Sequence, residues 1–270
     1  MMRQIDFHKN SNNALPDILN FRDIGGIISD EENSCLRHGR VFRSGRLSDL
    51  VENDLRLLDG LGVTSIFDLR ARREREADRT IWRGGGVETH VFRPGHKRRL
   101  VDMAQDYPAT PAGAEALMRD FYAELPRTMA HVFGELLVRI SQGAFPCIIH
   151  CSAGKDRTGM AVALLLAALG CGREAIVADY VASAHARRIE GAMVRSVVRD
   201  ESVARFRARY PADALAVMTD ARPDFILSAL DAIDGDWGGM APYLDGIGVT
   251  APVVARLRAD LLENMEGQRL

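Results

Sequence analysis

The stretch FPCIIHCSAGKDRTGMAVALLLAALG (145–170) decides the fold. It opens with the apolar run FPCIIHC (145–151), which has the length of a buried strand, and closes with the helical pattern DRTGMAVALLLAALG (156–170). The tight loop SAGK (152–155) joins the two. A buried strand that passes directly into a buried helix is the repeating unit of an α/β sheet.

The first third of the chain continues this alternation. VFRS (41–44), TSIFDLR (64–70) and VETHVFR (87–93) have strand patterns. SDLVENDLRLLDGLG (48–62) carries leucines at helical spacing, with Ser48 as the predicted N-cap. We therefore predict an α/β fold with a central, mostly parallel sheet flanked by helices.

Residues 1–270 are predicted to form a single domain. Periodicity disappears from Pro94 to about Pro111, and we expect residues 94–125 to form a lid-like insertion, since long loops in compact domains are often functional. Two helices are predicted next, one that ends before Pro126 and one that begins after it. Residues 173–270 are predicted to be helical throughout and could form an appended subdomain, although no linker precedes them.

The composition excludes several classes of protein. Thirty-five Lys and Arg against 37 Asp and Glu exclude a globally basic nucleic-acid binder. The four cysteines lack zinc-site spacing. No metal or organic cofactor is implied by the chemistry predicted below. The N-terminal residues lack the apolar core of a signal peptide, and AVALLLAAL (161–169) is too short to span a bilayer. We expect a cytoplasmic protein, with a monomer favoured and export without a signal peptide left open.

The loop between strand and helix has the features of an anion site. Backbone amides and the positive end of the helix dipole meet there, and Gly154 and Gly159 are expected to permit positive φ and close approach. A Walker A motif is excluded, because position 149 is Ile and Lys155 is followed by Asp156.

A nucleophile and a cation flank this loop. Cys151 begins a Cys-x5-Arg unit that ends at Arg157, and we expect the thiol to ionise beside the helix N-terminus. Arg157 offers a planar, two-pronged donor for phosphoryl oxygens, and Thr158 is expected to hydrogen-bond the sulfur. The pattern predicts phosphoryl transfer through a cysteinyl-phosphate. The predicted substrate-binding residues are Ser152, Ala153, Gly154, Lys155, Thr158 and Arg70.

Two aspartates are candidates for the general acid. Asp68 ends a core strand, where α/β sites assemble, and it is preferred; a salt bridge to Arg70 or Arg157 is its structural alternative. Asp156, inside the loop, is the rival. Lys155 adds a second cation, and residues 68–100 carry ten Lys or Arg against five Asp or Glu, a local +5 that suggests phosphoinositides as a second substrate class.

HCSAGKDRTG (150–159) resembles the signature loop of the Cys-x5-Arg protein tyrosine phosphatase superfamily, and its HCxxGKDRTG form is similar to that of atypical bacterial tyrosine and lipid phosphatases. Other stretches agree in order: NFRDIGG (20–26), VFRSGRLSDL (41–50), DLRARRE (68–74), FYAELP (121–126), IVADYVAS (176–183) and GGMAPYLDGIGV (238–249). The resemblance implies a phosphatase domain that acts on phosphotyrosine proteins, and also on phosphoserine, phosphothreonine and phosphoinositides. It implies as well that the helical extension at 173–270 is integral to this domain. It also implies an acid at Asp68, although no WPD-type acid loop is present.

Other interpretations of the cysteine loop stay open. The chain could be a phosphoinositide phosphatase, or a phosphate-binding pseudoenzyme that releases no phosphate. Sulfur transfer of the rhodanese kind also uses a cysteine loop, but the Cys-x5-Arg-Thr-Gly spacing suits a tetrahedral phosphate better.

Overall fold

The computed structural model describes residues 18–30, 33–48, 50–82, 84–93, 99–185 and 201–265. The strands are β1 (Arg22–Asp23), β2 (Ile28–Ser29), β3 (Ser34–Leu36), β4 (Val41–Ser44), β5 (Ser65–Asp68), β6 (Glu88–Val91), β7 (Cys147–His150) and β8 (Leu262–Asn264). The helices are α1 (Glu52–Gly60), α2 (Arg72–Ala77), α3 (Leu100–Met103), α4 (Pro111–Thr128), α5 (Ala130–Ile140), α6 (Asp156–Ala168), α7 (Arg173–Val181), α8 (Glu201–Arg209), α9 (Ala212–Thr219), α10 (Pro223–Trp237), α11 (Met240–Gly246) and α12 (Ala251–Leu261).

The main sheet has five strands in the order β1-β4-β7-β5-β6. β7 lies at its centre and pairs in parallel with β4 and β5, β6 pairs in parallel with β5, and β1 is antiparallel to β4. The predicted α/β class with a mostly parallel sheet is therefore confirmed. In this register Ser44 and Asp68 both lie opposite His150, so three strand ends meet where the loop after β7 begins.

Alternate side chains of the central strands enter separate cores on the two faces of the sheet. Ile149 and Phe67 belong to the larger cluster, which holds α6, whereas Ile148 and Ile66 pack in the smaller cluster with Leu58 of α1. Successive side chains of a strand point to opposite faces of the sheet. Because both faces of this sheet are covered, the sequence of a central strand is a continuous apolar run. α6 is apolar all round and nearly all of its residues are buried, as expected of a helix in the core.

Several predicted boundaries differ from the structure. Ser48 does not cap α1, which begins at Glu52, because the Asp54 carboxylate accepts the backbone N–H of Val51 at 3.0 Å and caps the helix there. Pro126 does not separate two helices; it lies inside the last turn of α4, and the break follows at Met129.

The predicted lid region contains regular structure. Within 94–125, residues 94–98 lie outside the described residues, while α3, a 3-10 turn at Ala104–Asp106 and most of α4 occupy the rest. α4 buries Leu117, Met118 and Tyr122 in the main core. The lid-like role of this segment stays a prediction.

The described residues of the C-terminal third form a series of helices, but they end in a strand, so the prediction of helix throughout was wrong there. Residues 262–264 form β8, which pairs with β3 in a small antiparallel sheet of β2, β3 and β8 and aligns Leu262 with Leu36. Residues 186–200 and 266–270 of this third lie outside the described residues. In the part of the chain that the structure describes, no helix is both long and apolar enough to cross a bilayer.

Candidate active site

The loop after β7 turns sharply at Gly154 to enter α6. Gly154 has φ +70°, and a Cβ atom there would lie 2.5 Å from the backbone nitrogen of Gly45 and from Ser44 atoms at the end of β4. Only glycine fits both the left-handed conformation and this contact. Gly159, by contrast, lies in α6 without a positive φ, and its small size is required by the Tyr180 ring, which a Cβ atom would approach to 2.9 Å.

The loop carries unpaired backbone donors. Among the described residues, none accepts a hydrogen bond from the amides of Ser152, Ala153, Gly154 or Lys155. These amides precede the first turn of α6, whose dipole places partial positive charge at the same point. Such a loop binds an anion through its main chain.

Cys151 lies at the start of this loop. Its side chain is 2% exposed, its thiol is free, and it is near enough to Arg157 for the two groups to interact electrostatically. Cys147, four residues earlier on β7, is completely buried, and burial raises the pKa of its thiol well above the usual range. Of these two cysteines, only Cys151 stands beside the loop and its cation.

Arg157 forms a two-pronged ion pair with Glu74 of α2. Its Nη1 and Nη2 donate to Oε2 and Oε1 of Glu74 at 2.7 and 2.8 Å, and Nη1 also donates to the carbonyl of Leu69 at 3.2 Å. The other edge of the guanidinium, Nε and the second N–H of Nη2, has one long contact of 3.4 Å with Ser152 Oγ among the described residues. That edge keeps a two-pronged donor for an anion.

The Glu74 carboxylate is an integral part of the site. Burial alone would raise its pKa, but the charge of Arg157 and hydrogen bonds from Arg157, Ser152 and Ala71 outweigh burial and lower the pKa to about 2. Glu74 therefore remains ionised at neutral pH and keeps Arg157 in one orientation.

Asp68 lies beside the loop but its carboxylate is fully engaged. Oδ1 accepts the Arg70 backbone N–H and Nε at 3.0 and 2.9 Å, and Oδ2 accepts Arg70 Nη2 at 2.8 Å. Burial raises the pKa of Asp68, but His150 and the hydrogen bonds from Arg70 lower it by more, so the pKa lies below its usual value. Arg70 also donates to the Asp78 carbonyl and to Thr80 Oγ1, so Arg70 and Asp68 bind each other and the surrounding chain.

Asp156 is the more accessible aspartate. Its side chain is 25% exposed, and its Oδ1 accepts the hydroxyl of Tyr122 at 2.7 Å and lies 3.2 Å from Lys155 Nζ. No described residue donates to Oδ2. As the first residue of α6, Asp156 borders the same turn that Cys151 and Arg157 flank.

Lys155 points its charge into the protein. Its side chain is buried, and Nζ donates to the carbonyls of Met218 and Asp220 at the end of α9, at 2.6 and 3.0 Å. These carbonyls at a helix C-terminus suit an ammonium group. The lysine joins the loop to α9 and leaves only its amide available at the loop surface.

Comparison with known proteins agrees with this geometry. A family model described as the tyrosine phosphatase family matches residues 13–263. The chain belongs to this family.

Two relatives extend over nearly the whole chain. A "Putative tyrosine-protein phosphatase" of Cupriavidus necator is 31% identical over 255 residues, 92% of this chain and 88% of that protein. The "Triple specificity protein phosphatase PtpB" of Mycobacterium tuberculosis is 29% identical over 279 residues, 92% of this chain and 98% of that protein. The enzyme is thus a protein tyrosine phosphatase, and the family predicted from the loop is confirmed.

The phosphatase loop is anchored by polar residues that sequence reasoning missed. The Gly154 carbonyl accepts Asn20 Nδ2 at 2.7 Å and Arg43 Nη2 at 2.8 Å. Arg43 is fully buried and pairs with Asp179 of α7, which also pairs with Arg22 of β1. A signal was present, because VFRS (41–44) and IVADYV (176–181) each place one charge within an apolar run.

Glu74 was missed for a different reason. The segment ARREREADRT (71–80) has the composition of a solvated turn, and some of its charges, such as Arg72 and Glu76, are largely exposed. Only the packing of α2 beside the loop distinguishes Glu74 from its neighbours.

Thr158 behaves differently from the expectation. It is fully buried, and its hydroxyl has no hydrogen-bond partner within the described residues, so the expected bond to the Cys151 sulfur is not formed. His150 is also fully buried; its Nδ1 lies 3.3 Å from the Cys151 carbonyl, and burial lowers its pKa. Within the described ranges no group of three or more His, Cys, Asp or Glu side chains could hold a metal ion.

Proposed function

We propose that this phosphatase hydrolyses phosphotyrosine through a cysteinyl-phosphate formed on Cys151. The observation that carries the proposal is the junction of β7 and α6, where the thiol starts a loop with four unpaired amides and faces a pre-oriented arginine. The thiolate attacks phosphorus and the ester P–O bond breaks. Water then attacks the phosphorus, the S–P bond breaks, and inorganic phosphate leaves with the thiolate restored.

Arg157 is proposed to bind two phosphoryl oxygens through Nε and Nη2. Glu74 accepts hydrogen bonds from the edge of the guanidinium formed by Nη1 and Nη2. Among the described residues, the edge formed by Nε and Nη2 has one contact, at 3.4 Å with Ser152 Oγ, which a phosphoryl oxygen would replace. The loop amides bind the remaining oxygens, where charge accumulates in the transition state.

Asp156 is proposed as the general acid in place of Asp68. The Asp68 carboxylate accepts hydrogen bonds from Arg70 on both of its oxygens, so neither oxygen is available to hold a proton for the leaving group. Asp156 is partly exposed, and its Oδ2 is unpaired among the described residues. The same carboxylate can then take the proton from the attacking water.

Phosphotyrosine proteins are proposed as the main substrates, with phosphoserine, phosphothreonine and phosphoinositides as further classes. The name of the Mycobacterium tuberculosis relative supports breadth of specificity. Lys155 was expected to add a second cation for phosphoinositides, but its buried ammonium donates to the carbonyls of Met218 and Asp220, so it gives no support to that substrate class. Cytoplasmic location and a monomeric state stay predictions.

The test is phosphate release from a phosphotyrosine peptide, a phosphoserine peptide and a phosphoinositide, together with acid-quench trapping of labelled enzyme. Cys151→Ser is expected to abolish turnover and labelling, while Cys147→Ser, a buried cysteine on the same strand, retains both. Turnover that persists in Cys151→Ser would contradict the cysteinyl-phosphate. Wild-type protein that binds these ligands without releasing phosphate would indicate a pseudoenzyme, and turnover of thiosulfate instead would indicate sulfur transfer.

The acid is tested with Asp156→Ala and Asp68→Ala. Asp156→Ala is expected to lower kcat by about 10²–10⁴, the usual contribution of a general acid. Loss of turnover in Asp68→Ala alone, with that variant still folded by circular dichroism, would return the role to Asp68.

A further inference from the structure

Tyr122 reaches the active site from the middle of α4. Its ring is completely buried against Phe225 of α10 and Tyr180 of α7, with ring centroids 5.8 and 5.7 Å away. Its hydroxyl is 2.7 Å from Oδ1 of Asp156 and 2.6 Å from the hydroxyl of Tyr180. The residue therefore connects the helical layer of the core to the first residue of α6.

The direction of these hydrogen bonds follows from the chemistry of the hydroxyls. Burial, followed by the charge of Asp156, raises the pKa of both tyrosines well above 10, so each keeps its single proton. A carboxylate only accepts, so Tyr122 donates to Asp156. Tyr122 has then used its hydrogen, and Tyr180 must donate to Tyr122.

Lys155 approaches the same oxygen of Asp156. Its Nζ is 3.2 Å from Oδ1, and it cannot swing away without breaking its bonds to the carbonyls of Met218 and Asp220. Oδ1 therefore accepts a hydrogen bond from Tyr122 and forms an ion pair with the ammonium of Lys155, whereas no described residue donates to Oδ2. A proton on Oδ1 would face those donors, so a protonated Asp156 carries its hydrogen on Oδ2.

We propose that Tyr122 is a positioning residue for the general acid: it anchors Oδ1 of Asp156 so that the proton for the leaving group is held on Oδ2. This inference rests on the proposed role of Asp156. The geometry also explains why a tyrosine rather than a phenylalanine occupies a fully buried position, where an unpaired hydroxyl would be unfavourable.

The test is Tyr122→Phe, which removes the hydroxyl and keeps the ring. A general acid matters most when the leaving group is a poor one, so kcat is measured with aryl phosphates from p-nitrophenyl phosphate to phenyl phosphate. We expect kcat on phenyl phosphate to fall about tenfold, the value of one hydrogen bond to a charged group, with p-nitrophenyl phosphate and KM nearly unchanged. Adding Asp156→Ala to Tyr122→Phe should lower kcat no further than Asp156→Ala alone.

Tyr243→Phe is the matched control. Tyr243 is equally buried and its hydroxyl donates to the Pro126 carbonyl at 2.8 Å, so this variant also removes one buried hydrogen bond, but away from the loop. It should lower stability without changing the dependence of kcat on the leaving group. Tyr180→Phe, one bond further from Asp156, should change that dependence in the same direction as Tyr122→Phe but less, and it replaces Tyr122→Phe if that variant does not fold.

The outcomes separate this inference from the proposed function. If Asp156→Ala does not steepen the dependence on the leaving group, Asp156 is not the acid and both fail. Suppose instead that Asp156→Ala steepens the dependence of kcat on the leaving group, but Tyr122→Phe shows the same dependence as the control Tyr243→Phe. In that case only the role of Tyr122 is overturned. Tyr180→Phe is compared with the control in the same way if Tyr122→Phe does not fold.

Discussion

Replacing Glu74 with Gln removes the charge that orients Arg157, and the structure sets the size of the effect. The pKa of Glu74 is lowered from 4.5 to about 2. That difference corresponds to about 3 kcal/mol of stability contributed by the ionised carboxylate at neutral pH. Glutamine cannot replace it, because both carboxylate oxygens accept N–H or O–H donors and an amide nitrogen would face one of those donors.

The effect depends on pH with a definite sign. A carboxyl group whose pKa is lowered on folding stabilises the folded state fully above its unfolded pKa of 4.5, and this contribution disappears as the pH falls toward 2. The difference between wild type and Glu74→Gln should therefore be constant at pH 6–8 and shrink to about 2 kcal/mol at pH 3.5.

The measurement is urea denaturation of both proteins at pH 7 and pH 3.5. Glu76→Gln is the control on the same helix, since Glu76 pairs with Arg72 on the surface, where both side chains are more than half exposed. That variant should match wild type at both pH values. Equal stability of Glu74→Gln and wild type at pH 7, or a deficit that does not shrink at pH 3.5, would refute the electrostatic reasoning.

Activity gives an independent check on the same variant. With Arg157 free to leave its orientation, kcat/KM should fall about 10- to 100-fold at pH 7 without denaturant, where the variant remains folded. An unchanged kcat/KM would mean that Glu74 stabilises the fold without orienting the arginine.

Three further predictions concern the loop and its supports. Gly154→Ala should abolish activity and lower Tm, because its Cβ would meet Gly45 at 2.5 Å, whereas Gly143→Ala, with positive φ but open space, should lose only about 1 kcal/mol and stay active. Asp179→Asn should lower the free energy of unfolding by about 3–5 kcal/mol, because both arginines that pair with Asp179 lose their counter-charge. Thermal denaturation measures this loss, and an unchanged Tm would contradict it. Lys155→Met should reduce hydrolysis of phosphotyrosine and phosphoinositide equally, and a selective loss of phosphoinositide turnover would show direct contact with that ligand.

Much of the fold was accessible from local pattern. The apolar run 145–151 and the helical pattern 156–170 are consecutive in the chain, so a strand, a loop and a helix follow from nearest neighbours. The pairing of Cys151 with Arg157 across the loop is local in the same sense. The boundaries that failed, at Ser48 and Pro126, depended on a carboxylate cap and on the position of a proline within the last helical turn.

The order of the strands and the partners of each charge required the tertiary structure. β4, β7 and β5 are neighbours although about 80 residues separate β5 from β7 in the chain, and no local pattern specifies that register. The same packing directs Lys155 toward α9 and Glu74 toward Arg157, although both were expected to face solvent or substrate.

The sequence by itself was enough to determine the α/β class and to predict the nucleophile and the anion loop, because the residues that define them lie within one continuous segment. Only the tertiary structure shows which of the two aspartates has an oxygen that no described residue pairs with. The sequence favoured Asp68 over Asp156, but Arg70 occupies both oxygens of Asp68, whereas Tyr122 and Lys155 leave one oxygen of Asp156 unpaired among the described residues. A side chain's chemistry is set by its neighbours, and here Tyr122 comes from 34 residues away along the chain.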